Sequence, residues 1–203
     1  MRSKNLMWGA VALSVALVAT GCSKPPHQEV DAVKATMSEA DSAQAQTYAP
    51  DAYAKAQESM NAVNAEMEAQ NAKFALFRSY GKTKELVAAA QTAAADAKTA
   101  AAQGREQAKA DAQAAIDAAK AQLTAAQTAM TELEACPRKP KGFSKDMDLM
   151  RGSWEGYNTQ AAELDAAMGR EDYAAARSAA ETLKASADQL AADLASAKEK
   201  MKC

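Results

Sequence analysis

Aromatic residues make up only 5% of this 203-residue chain, and β-branched residues are sparse after residue 30. A sheet needs both kinds to pack its faces, so a β or mixed fold is not expected. There is one histidine, His27, with no second ligand nearby, so no metal centre is expected. No nucleophile–histidine pair, glycine-rich phosphate loop, metal-spaced cluster or haem motif occurs, so neither catalytic residues nor a cofactor are expected. Excess positive charge is missing too. The 24 basic residues face 26 acidic ones, which disfavours nucleic acid as a partner.

What the chain has in abundance is alanine, at about a quarter of all positions, with glutamate, lysine and leucine at helical spacing. That is the composition of long helices and coiled coils. Alanine buries little area, so the expected fold is all-α with a thin core: an elongated antiparallel bundle of about five helices built around one long helix. The long helix is the proline-free run 82–133, interrupted by one glycine, Gly104. At 1.5 Å per residue it measures on the order of 80 Å if continuous. Its seam positions Gly104, Ala108 and Ala112 are spaced by fours, so the middle is expected to be thin, with room for a bend.

Around it, 3-4 alternation of apolar residues predicts a first helix over 29–47 and a second over 50–77. The second helix's seam includes Tyr53, Met60, Val63, Met67, Gln70, Phe74 and Phe77, and Gly81 can close the turn in left-handed geometry. After a proline-rich loop at 136–143, Ser144 is a candidate cap for a fourth helix carrying Met147, Met150, Trp154, Tyr157 and Leu164. A fifth helix carries Tyr173, Leu183, Leu190, Leu194 and Met201. The methionines fall on seams, where a thioether fills gaps, which outweighs a copper-handling reading. Gly152 and Gly156 fall off the seam, where fraying or plain tolerance competes with close approach of another helix.

The first 21 residues read as an export signal: Arg2 and Lys4, then an apolar run from Leu6 to Val18 too short to span a bilayer comfortably. Val18-Ala19-Thr20-Gly21-Cys22 resembles the lipobox of bacterial lipoproteins, with Ala19 where leucine is commonest. The resemblance implies that Cys22 becomes the acylated first residue. Ser23 after it, in place of aspartate, implies the periplasmic face of the outer membrane. Three acyl chains would hold the chain firmly to lipid. Residues 22–28 form a short tether stiffened by Pro25 and Pro26, followed by a hairpin region at 29–135 and a second hairpin at 136–203.

Tyr48-Ala49-Pro50-Asp51-Ala52-Tyr53-Ala54-Lys55-Ala56, then a turn and an alanine run, is similar to the DUF4398-type family of bacterial envelope lipoproteins over residues 29–102. The family implies a helical hairpin and no catalytic residues.

With Cys22 acylated, Cys136 and Cys203 remain as a pair in an oxidising compartment. Helices of comparable length leave and return to the same end, so a bridge is expected, worth about 4 kcal/mol by loop-closure entropy. Reactive thiols or an intermolecular bridge are the alternatives. Arg138, Lys139, Lys141 and Lys145, with Phe143, make the densest basic patch. It is either a solvated loop or a contact tip for an anionic envelope protein or cell-wall partner. Five helices can bury their own seams, so a monomer or weak homo-oligomer is expected. The functional expectation is a non-enzymatic, lipid-anchored scaffold or spacer, with a binding module as the alternative.

Overall fold

A computed structural model describes residues 24–202; residues 1–23, which hold the expected export signal and Cys22, and Cys203 lie outside the described residues. Among the described residues there are no strands and six α-helices. They are α1 (His27–Ser42), α2 (Ala45–Tyr48), α3 (Pro50–Asn71), α4 (Gly81–Glu134), α5 (Phe143–Gly169) and α6 (Tyr173–Met201). The 54 residues of α4 run unbroken through Gly104. Its length, about 80 Å at 1.5 Å per residue, sets the long axis.

Every other helix packs on α4. Along its first half, α1 runs parallel to it. Val30 and Val33 share a core cluster with Val87 and Ala90, and Ala40 shares the next with Ala93, Ala97 and Ala101. Helix α3 runs back along both, placing Ala56 in the middle cluster and Val63 in the first. The second half repeats the plan. Helix α6 runs parallel to α4, with ion pairs at successive levels: Arg105–Glu171, Arg177–Asp111 at 3.2 Å and Lys198–Glu132 at 2.7 Å. Helix α5 runs antiparallel, pinned by Lys120–Asp165 at 2.8 Å and by Trp154, whose Nε1 donates to the Leu123 carbonyl at 2.9 Å. The rod is thus three helices thick in each half, with α4 common to both.

Alanine lets these axes approach closely and limits what each layer contributes. Ala90, Ala94, Ala97, Ala101 and Ala112 are fully buried, each burying one methyl worth about 0.8 kcal/mol. Stability therefore accumulates with length. Larger residues (Ile116, Leu123, Leu133, Leu183, Leu194) weight the core toward the second half. A two-neighbour level also widens the buried stripe beyond a coiled-coil seam. Val87 and Ala101 are buried, whereas Leu86 and Ala100, their neighbours in sequence, are half-buried.

Several local expectations are corrected. The first helix breaks after Ser42, and Gln44 takes a left-handed φ of 57°. Continuing the 3-4 rhythm from Ala40 would bury Gln44; the break buries Ala45 in its place and leaves Gln44 exposed. The second helix stops at Asn71, so Phe74 and Phe77 are not core but 70% and 75% exposed. Gly81 does not close a helix in left-handed geometry; it is the first residue of α4. Ser144 is not the cap of α5: Gly142 occupies that position at φ 92°, and α5 starts at Phe143. The tether is shorter than expected, because Pro26 is fully buried and α1 begins at His27. Gly152 and Gly156 sit in an unbroken helix with nothing near their missing methyls, so they are tolerated at an open surface.

Gly104 is different. A Cβ there would lie 2.1 Å from the Tyr48 carbonyl oxygen and 3.0 Å from its carbon. The α2–α3 corner crosses α4 in backbone contact at this point. Glycine makes that crossing sterically possible.

Candidate functional site

The expected site lies where α4 delivers the chain to the far end of the rod. Cys136 is buried, and its amide donates to the Leu133 carbonyl at 3.2 Å, closing the last turn. The loop then turns through Pro137 and Pro140, and Gly142 hands over to α5, whose Asp146 amide returns to the Gly142 carbonyl at 3.1 Å. Arg138, Lys139, Lys141 and Lys145 are all exposed, and no acidic residue occurs between Cys136 and Lys145. Phe143 is not a free contact residue. It is half-buried on the core cluster of Leu133, Met147, Leu194 and Met201, with the Lys139 ammonium 5.7 Å from its ring centroid. That cation–π contact fixes one of the four charges over the ring.

Cys136 is disulfide-bonded. Cys203, its expected partner, lies outside the described residues, as does Cys22. Met201, two residues before Cys203, is buried in the same cluster as Cys136.

Two features here escaped the sequence reading. Arg151 pairs with Glu134 at the end of α4 and with Asp148 one turn back, at 3.1 Å for the latter, bracing the loop's two stems. Beside the loop, Leu133, Pro140, Phe143, Met147, Leu149, Met150 and Met201 help line an open groove of about 410 Å³, with Asp193 and Lys200 also on its wall. Leu149 is 64% exposed there. The signal available was its position: a leucine off the α5 seam has no partner within the bundle.

The opposite end has its own constellation. The Arg78 guanidinium donates to the Asn71 and Lys73 carbonyls, both at 3.0 Å, and so caps α3 from outside. Gln70, buried, accepts from the Ser79 amide at 3.0 Å and the Lys73 ammonium at 3.2 Å, and donates to Glu66 at 2.7 Å. The Lys82 ammonium, 2.7 Å from Glu66, and the Gln70 amide hold that carboxyl below its ordinary range.

Among the described residues, no group of three or more His, Cys, Asp or Glu side chains is placed to hold a metal, and no helix is long and apolar enough to cross a membrane. No family model, curated protein or solved structure matches the chain.

Proposed function

We propose that the protein is a non-enzymatic scaffold of the bacterial envelope, acylated at Cys22 on the periplasmic face of the outer membrane, with its basic far end contacting an anionic partner. The observation that carries this reading is polarity of layout. The described chain begins, at Lys24, beside the start of α4, and the Arg138–Lys145 loop stands at the other end, about 80 Å away. A rigid end carrying concentrated charge on a net acidic protein raises encounter rates with an anionic surface. The lipobox-like segment and the likeness of residues 48–56 to envelope lipoproteins support the anchorage. A second reading, a binding module, is favoured by the apolar groove beside the loop, which offers a seat for an apolar side chain of the partner.

Crosslinking in cells tests the reading. Replacing Arg138, Lys139, Lys141 and Lys145 with glutamine leaves helicity and melting nearly unchanged, because exposed charges contribute little to stability. It reduces the yield of crosslinked partner at least about tenfold, more at low salt. Unchanged partners and yields refute the contact role of the loop.

A further inference from the structure

At the end opposite the basic loop, the chain between α3 and α4 displays its largest apolar side chains to solvent. Phe74 is 70% exposed, Leu76 84% and Phe77 75%. The backbone beneath them is firmly held. A 3-10 turn spans Ala75–Phe77, the Phe77 amide returns to the Phe74 carbonyl at 2.8 Å, and the rings of Phe74 and Phe77 pack at 6.4 Å. Arg78 and Gln70 tie both stems to α3, and Tyr80, 3% exposed, closes the base. The hydrogen-bonding groups of the loop are therefore used on α3, while its apolar side chains are exposed. Three together at one rod end form an apolar patch of the kind that marks a contact surface.

Position and charge say what covers it. Helix α1 runs parallel to α4, with Glu29 and Ala32 beside Lys84 and Val87 on one groove. One turn earlier on each helix come Pro26 and Thr83, both fully buried. The first described residue, Lys24, is therefore at this same end, two residues after Cys22. Residues 72–84 contain Lys73, Arg78, Lys82 and Lys84 and no acid. Lys82 is paired with Glu66, whereas Lys73 and Arg78 are exposed and donate to neutral acceptors, the Gln70 side chain and backbone carbonyls. Exposed apolar side chains on a loop that also carries Lys73 and Arg78, at the end where the described chain begins, match the chemistry of an anionic bilayer interface: acyl boundary for the rings, headgroup phosphates for the cations.

We infer that Phe74, Leu76 and Phe77 insert into the outer edge of the bilayer, giving the rod a second membrane contact beside its lipid. The inference rests on the anchored reading of the N-terminus. Its role is orientation more than affinity. A single lipid at the end of a short tether leaves the rod free to swing; a second, rigid contact beside it holds the foot in place and the axis away from the surface.

The test uses the chain from Cys22 to Cys203, which retains every described residue. Its Cys22 thiol is coupled to a maleimide lipid in vesicles of phosphatidylethanolamine and phosphatidylglycerol. Phe77→Trp adds a reporter; Trp154, in the far half, is the internal reference. The indole at position 77 shifts to the blue and is quenched by lipids brominated near the headgroup end of the acyl chain, while Trp154 fluorescence is unaffected. An indole at 77 that stays unquenched on the tethered protein overturns the inference, as does shielding of it only when another protein is added. In a companion experiment, the Cys22→Ser chain without lipid sediments with the same vesicles. Phe74→Ser, Leu76→Ser and Phe77→Ser together lower that binding at least about tenfold with helicity unchanged; equal binding again overturns the inference. Because the anchor is supplied chemically, these results do not depend on acylation in cells. Finding Cys22 unmodified in cells would sink the anchorage reading on its own.

Discussion

Replacing Gly104 by alanine sets two effects of known sign against each other. Gly104 lies in the interior of a long helix, where alanine is favoured over glycine by about 1 kcal/mol. Propensity alone predicts stabilisation. The structure predicts the reverse, because the new methyl would be 2.1 Å from the Tyr48 carbonyl oxygen and 3.3 Å from the Tyr48 Cβ. A tolerable carbon–oxygen separation is about 3.3 Å, so the α2–α3 corner must retreat by about 1 Å. Tyr48 packs against the second-half core and its carbonyl belongs to the backbone, so no flexible side chain can yield. Overpacking of this kind costs about 1–3 kcal/mol, and the balance falls at about 1 kcal/mol of net destabilisation. Gly152→Ala and Gly156→Ala are the controls: both sites are open, and each should gain up to about 1 kcal/mol. Urea denaturation followed by circular dichroism reads all three midpoints. If Gly104→Ala stabilises as the controls do, the backbone crossing is wrong, and with it the joining of the two halves at this level.

Two further outcomes follow from the ends of the rod. Non-reducing peptide mapping should link Cys136 to Cys203 within one chain, and reduction should lower stability by up to about 4 kcal/mol; two free thiols, or a link between chains, would reject that pairing. The Lys82–Glu66–Gln70 cluster gives a pH dependence whose sign is fixed, since the Glu66 carboxyl is held below its ordinary range, first by Lys82 and then by Gln70. Its stabilising contribution is present above the unfolded-state value of about 4.3 and is lost as pH falls through the lower folded-state value. The stability difference between the native chain and Glu66→Gln should accordingly be full at neutral pH and vanish in acid. A difference that grows on acidification contradicts the assignment.

Helix identity and order were legible in the sequence because alanine-rich helices declare themselves through spacing alone. The 3-4 rhythm located α4 and α6 to within a few residues, and Asp172, just before α6, caps it by accepting from the Ala175 amide at 3.3 Å. The rhythm failed where a rule of continuity was overridden by a local contact. Phe74 and Phe77 extend the α3 seam in perfect register, yet Arg78 takes the carbonyls that another helical turn would use, and the chain turns outward. At Gln44, a left-handed residue re-phases the seam so that alanine is buried and the amide is not. Gly104 was visible only as a small seam residue, since its partner, a carbonyl 56 positions earlier, leaves no trace in local pattern. The four cations of the far loop were readable as a cluster; the groove beside them needs α5 and α6 brought together, which spacing does not specify.

In the proposed arrangement the rod stands on its anchored end and holds the basic loop away from the membrane. Neutron reflectometry on a supported bilayer measures this directly, with the chain from Cys22 to Cys203 coupled through Cys22 to a maleimide lipid at low surface density. An upright rod gives a protein layer on the order of 80 Å thick, the length of α4. A layer of about 20–25 Å, two helix diameters, would mean that the rod lies flat along the membrane and would overturn the upright arrangement.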